Sequence, residues 1–93
     1  MLKKDSKITI NKSKIDDNKR FKILDFIRFT LDQNFGEEET LRYLKQNIET
    51  AFGGKWQVAV GNKFTAYLNE TYFPMYLDLS TRNMTFMIFS LKR

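Results

Sequence analysis

The sequence predicts a small α+β domain, on three observations. Apolar residues recur two apart near the N-terminus, at helical spacing through the middle, and two apart again from residue 56 to the end. Gly and polar turn residues fall at the changes of period. At 93 residues and 42% hydrophobic, the chain is long enough for one thin core and too apolar for disorder. The predicted order is a short N-terminal strand, two packed helices, then a four-strand antiparallel meander.

The first strand is read at Ile8-Thr9-Ile10. From Asp16 the spacing becomes helical: Leu24, Ile27, Leu31 and Phe35 share one face. Asp16 and Asp17 suit the positive end of that helix, and Gly36 suits the left-handed position past its end. A second helix follows at once. Glu37, Glu38 and Glu39 fill its first turn, Leu41, Leu44, Ile48 and Phe52 form its stripe, and Gly53-Gly54 stops it.

Strands follow. Trp56, Val58 and Val60 alternate with Gln57 and Ala59, and Gly61-Asn62 marks a turn. Phe64, Ala66 and Leu68 alternate with Thr65 and Tyr67 along Lys63 to Asn69. That segment reads either as an ordinary sheet strand or as an edge able to accept a strand from another chain. Phe73, Met75, Leu77 and Leu79 form a third alternating face, with Pro74 confining the strand's start or placing it at an edge. Met84 to Phe89 is almost wholly apolar, as for a strand covered on both faces.

The net charge of +5 resides in residues 1–22, which hold eight basic and three acidic side chains. Residues 23–93 hold eight of each. Residues 1–6 therefore read as a basic N-terminal arm and 7–93 as a single domain. A basic arm can touch nucleic acid, but it is more often a solvated tail, and no RNA-binding aromatic signature accompanies these lysines. No apolar run approaches the ~18–20 residues of a membrane span. The polar start Met1-Leu2-Lys3-Lys4-Asp5 predicts no secretion signal, and neither pattern predicts a membrane partner.

With no Cys and no His, the chain has no thiol or imidazole chemistry and none of the usual zinc sites. Glu37-Glu38-Glu39 does not converge on one ion, because consecutive helix residues point in different directions. The glycines lack phosphate-loop spacing. The expectation is a non-enzyme with no cofactor. On an ideal helix, Phe26 and Phe29 lie opposite the Leu24–Leu31–Phe35 stripe, which suggests a second interaction surface on the first helix.

The stretch from Trp56 to Leu68 resembles the eight-kilodalton dynein light chains. Trp56, Val60, Gly61, Phe64 and Tyr67 match that family's Trp-x-x-x-Val-Gly-x-x-Phe-x-x-Tyr pattern. The register continues back through Leu31, Leu44 and Phe52 to Ile8 and Ile10. It continues forward through Glu70-Thr71 and Tyr76 after a one-residue deletion, so the resemblance covers about residues 7–90. It implies a dimer in which the Lys63–Asn69 strand crosses to the partner's sheet. Gln57, Lys63, Phe64, Ala66 and Leu68 would lie at the dimer interface. Two symmetric grooves would bind extended segments of dynein intermediate chains as an added strand. The groove positions are Glu37, Glu38, Phe64, Thr65, Ala66, Tyr67, Leu68, Asn69, Pro74, Tyr76 and Asp78.

The resemblance therefore implies a non-catalytic subunit of a dynein motor complex, located in the cytoplasm and cytoskeleton or in a ciliary axoneme. A related light chain could replace the second copy in the dimer. The alternatives are a light-chain-like dimerisation hub for non-dynein proteins and, further off, a small basic nucleic-acid-binding domain. The chain departs from the family at several positions. Thr65 stands where the groove strand has Gly, Gln57 where the dimer contact has His, and Glu38 where the second helix has Lys. Pro74 and Asp78 stand where the groove has aromatics. These departures count against the family's usual Gln-containing ligand motif and leave strand addition intact.

Overall fold

The structure, a computed structural model, describes residues 8–62, 74–82 and 84–91. Its elements are β1 (Thr9–Lys14), α1 (Asp17–Asp32), α2 (Glu37–Phe52), β2 (Trp56–Asn62), β3 (Tyr76–Ser80) and β4 (Met84–Ser90). The α+β class is as expected. The strands form one antiparallel sheet in the order β1-β3-β4-β2. That order departs from a meander, because β2 pairs with β4, the last strand in the chain. The composition of β4 explains its central place. Thr85, Phe86, Met87 and Ile88 are all buried, so this strand needs a neighbour on each side and cover on each face. The expected strand Lys63–Asn69 lies outside the described residues.

Both helices pack on one face of the sheet. Ile23, Ile27, Leu44 and Ile48 meet Leu77, Leu79, Phe86 and Ile88, all fully buried, with Trp56 and Val58 beside them. Burying a side chain of this size contributes about 1.5–3 kcal/mol, and these residues form the main core. The stripe on α1 is turned from the expected one. Ile23 and Thr30 are buried, whereas Leu31 and Phe35 are half-buried. Thr30 can sit in an apolar core because its hydroxyl donates to the Ile27 carbonyl at 2.7 Å.

The helix ends follow from capping chemistry. Asp16 caps α1, its carboxylate accepting the Lys19 N–H at 2.9 Å. The expected role of Gly36 at the α1 end is corrected: Asn34 takes the left-handed position, with φ of 60°. The Asn34 N–H donates to Leu31 O at 3.1 Å and the Phe35 N–H to Thr30 O at 3.1 Å, the two bonds of a Schellman end. Gly36 instead caps the start of α2 in an extended conformation. Gly53 and Gly54 stop α2 as expected, at φ of 78° and 76°, where a β-carbon is strained.

β1 is longer than the sequence pattern suggests and is exposed throughout. Its register with β3 shifts between Ile10 and Lys12, so Asn11 is an extra residue in the ladder. β3 begins two residues after Pro74, in keeping with proline's missing N–H.

Candidate functional site

The strand pairings sort the sheet residues onto two faces. Leu77, Leu79, Phe86, Ile88 and Val58 face the helices. Their alternates face away. Across the strands, Gln57 stands opposite Phe89, Phe89 opposite Tyr76, and Tyr76 opposite Lys14. The next row is Ala59, Met87, Asp78 and Lys12. Directly opposed residues project to the same side of a sheet, so Gln57, Tyr76 and Asp78 share the face that the helices leave open.

This face carries its own small apolar cluster. Tyr76 and Met87 are buried, with half-buried Ala59 and Phe89 packed against them. Sequence reasoning missed Ala59, Met87 and Phe89 as members of it. The signal was available in the unbroken apolar run of β4, half of which must point away from the helices. At the β1 side, Asn11 Nδ2 donates to Asp78 Oδ1 at 3.3 Å. The bulge at Asn11 aims that amide at Asp78, which is half-buried and held by its neighbour strand.

At the other margin Gln57 is exposed on β2. No described strand pairs with the outer side of β2. That edge offers main-chain donors and acceptors to an added strand. A polar node fixes where β2 begins. The Trp56 N–H donates to Glu49 Oε2 at 2.9 Å, and Lys45 Nζ donates to the same oxygen at 3.1 Å and to the Trp56 carbonyl at 2.7 Å. The Trp56 indole N–H donates to Gly53 O at 3.0 Å. The bond from the Trp56 backbone N–H, followed by that from Lys45, holds the Glu49 carboxyl below its ordinary value.

The remaining expected groove positions are spread out. Glu37 and Glu38 are exposed in the first turn of α2, which packs on the opposite face of the sheet. Arg42 Nη2 lies 3.5 Å from Glu38 Oε2 and offsets part of its charge. Pro74 is exposed ahead of β3. Lys63, Phe64, Thr65, Ala66, Tyr67, Leu68 and Asn69 lie outside the described residues.

Phe26 and Phe29 both contact Tyr43 of α2, and Phe29 remains exposed, at 42%. Phe26 is half-buried against the main core and meets Tyr43 edge-on at 6.3 Å. Phe29 stacks on Tyr43 at 5.1 Å and meets Phe35 edge-on at 6.0 Å. The turn of the α1 stripe brings both rings to the seam with α2. Among the described residues no group of acidic side chains could hold a metal ion, and no helix is long and apolar enough to cross a membrane.

The sequence matches the family Dynein light chain type 1 over residues 7–91. Solved structures share the fold. One is the dynein light chain-like domain of the Fasciola hepatica calcium binding protein FhCaBP2, in a mercury derivative. It is 11% identical with a TM-score of 0.77, covering 99% of this chain and 97% of that one. A native crystal of the same domain gives 10% identity and a TM-score of 0.79, with 95% and 94% covered. The DLC like domain of CsTAL3 is 22% identical with a TM-score of 0.70, covering 89% and 90%. No curated protein matches the chain significantly.

Proposed function

Since the chain belongs to the dynein light chain type 1 family, we propose that it is a non-catalytic light-chain subunit of a dynein motor complex. In this reading two copies form a clamp that binds extended segments of dynein intermediate chains by strand addition. The observation that carries the reading is the outer edge of β2, which pairs with no described strand and bears Gln57 at the position of the family's dimer contact. The chain that follows β2 directly is the segment expected to cross to the partner. Main-chain pairing supplies affinity for many ligands, and the open sheet face around Tyr76 and Asp78 supplies selection. Two such grooves hold two ligand chains side by side, so modest affinity at each suffices. The proposed location is the cytoplasm and cytoskeleton, with a ciliary axoneme as the specialised variant.

A hub for non-dynein proteins is the second reading. It is favoured by the similar solved structures, which are light chain-like domains of proteins carrying other names. Affinity purification from the source cell separates the two. Dynein intermediate chains that stay bound at high salt support the first reading, because backbone pairing is far less salt-sensitive than phosphate contact. Recovery of other proteins without any dynein chain supports the hub. Loss of all partners at high salt, with nucleic acid retained at low salt, overturns both.

A further inference from the structure

A pocket of about 180 Å³ lies where the N-terminal end of α1, the C-terminal end of α2, the ends of β2 and β4 and the residues ahead of β3 meet, with Pro74, one of the expected groove positions, in its lining. Its apolar walls include Phe52, Trp56, Met75 and Leu91. The Phe52 and Trp56 rings lie 5.6 Å apart. Ser90 lines the same pocket and is only 5% exposed, yet its Oγ has no hydrogen-bond partner. A buried hydroxyl without a partner is destabilising, and such groups are rare in folded proteins. The main chain here does not share the deficit, since the Ser90 N–H donates to Met75 O at 3.0 Å and the Leu91 N–H to Lys55 O at 2.9 Å.

The charges around the pocket favour an anion. Lys19 and Lys55 both line it. Lys19 Nζ sits 5.5 Å from the Phe52 ring centre and 3.2 Å from Asp16 Oδ2. That surface pair is weak enough for Lys19 to turn toward a ligand. Glu49, the other nearby carboxylate, is committed to Lys45 and the Trp56 N–H. Lys55 makes no ion pair among the described residues, although its charge acts on Glu49, which Lys45 already pairs. Apolar walls, a hydroxyl that can donate, and a cationic rim describe one ligand chemistry.

We propose that this pocket binds a carboxylate carried on a short apolar body, independently of strand addition. The body lies against Phe52 and Trp56, the Ser90 hydroxyl donates to the carboxylate, and Lys55 and Lys19 close over its charge. Two sources have this chemistry: a free short-chain acid and the C-terminal carboxylate of a protein ending in an apolar residue.

Trp56 is the only Trp in the chain, so its fluorescence reports the site directly. The intact chain is titrated with hexanoate, with hexanol, and with a short peptide ending in Leu as free acid or as amide. Saturable binding of hexanoate, at least tenfold tighter than hexanol, is expected. Stronger response to the peptide acid than to hexanoate identifies a protein terminus, and the reverse identifies a free acid. Ser90→Ala should weaken carboxylate binding about tenfold, since a hydrogen bond to a charged acceptor is among the strong ones. Lys55→Gln should weaken it about threefold, less at high salt. Ser90→Ala should leave the melting temperature unchanged or raised, because the hydroxyl it removes has no partner. Equal responses to acid and alcohol, no saturable response, or a clear loss of stability in Ser90→Ala would each overturn the proposal.

Discussion

Glu49 links three parts of the molecule through one side chain: α2 that carries it, Lys45 one turn earlier, and the first residue of β2. Its carboxyl titrates below the ordinary 4.5, chiefly through the Trp56 N–H and then Lys45. Asp16 likewise titrates below 3.8, chiefly through the Lys19 N–H. A carboxyl with a depressed folded-state pKa contributes stability that is complete above its unfolded value and is lost as pH falls through the folded one. Thermal melts from pH 7 to pH 2 should therefore show Glu49→Gln less stable than the native chain at neutral pH, with the gap closing in the acid range. A gap that does not change with pH would assign the effect to packing. At the same scale, Glu37, Glu38 and Glu39 make the α2 start negative where the family has Lys, although Arg42 offsets Glu38 in part. A ligand Lys or Arg should be preferred over Gln near that end by at most about 1 kcal/mol, because the site is exposed. Peptide arrays at two salt concentrations check this; a preference for Gln at low salt would refute the charge argument.

The elements were legible in the sequence where the signal is local. Periods of two and of three to four placed α1, α2, β2 and β4, and Gly53-Gly54 marked the α2 stop. What was missed depends on longer-range or polar effects. β1 extends to Lys14 without an apolar pattern because backbone pairing to β3 holds it, not burial. The α1 core includes Thr30, whose hydroxyl is satisfied within its own helix and so needs no polar neighbour. An apolar count cannot see such a residue, and without it the stripe was drawn through Leu31 and Phe35. The same rotation decides what Phe29 does. It packs on Phe35, the residue just past the Schellman end, and on Tyr43 of α2. Phe26→Ala should cost about 2 kcal/mol and Phe29→Ala about 1 kcal/mol, scaled to their partial burial. A double-mutant cycle of Phe29→Ala with Tyr43→Ala should show coupling of about 0.5–1.5 kcal/mol in denaturant unfolding. Additive effects would return Phe29 to the solvent-facing role that the ideal-helix reading gave it.

Across the whole molecule, the two sheet faces have different tasks. One is closed by α1 and α2. The other gathers Gln57, Tyr76 and Asp78, which the register places together although they are far apart in sequence. The strand order that produces this was not legible from periodicity, because local spacing does not choose between β3 and β4 as the partner of β2. The open face and the β2 edge together motivate the dimer. Its pH response follows from composition: the chain has no His, and Gln57 stands at the expected contact. Ordinary carboxyls titrate near 4 and lysines above 10, which leaves no side chain with an unperturbed pKa between pH 5.5 and 7.5. Sedimentation at micromolar concentration should therefore give twice the monomer mass at both pH values, with no shift in the dissociation constant beyond about twofold. A folded monomer at pH 7.5 would end the two-groove clamp. A dimer at pH 7.5 that dissociates by pH 5.5 would retain the clamp but require a group that takes up protons more readily in the free monomer than in the dimer, and the chain has no His to supply one.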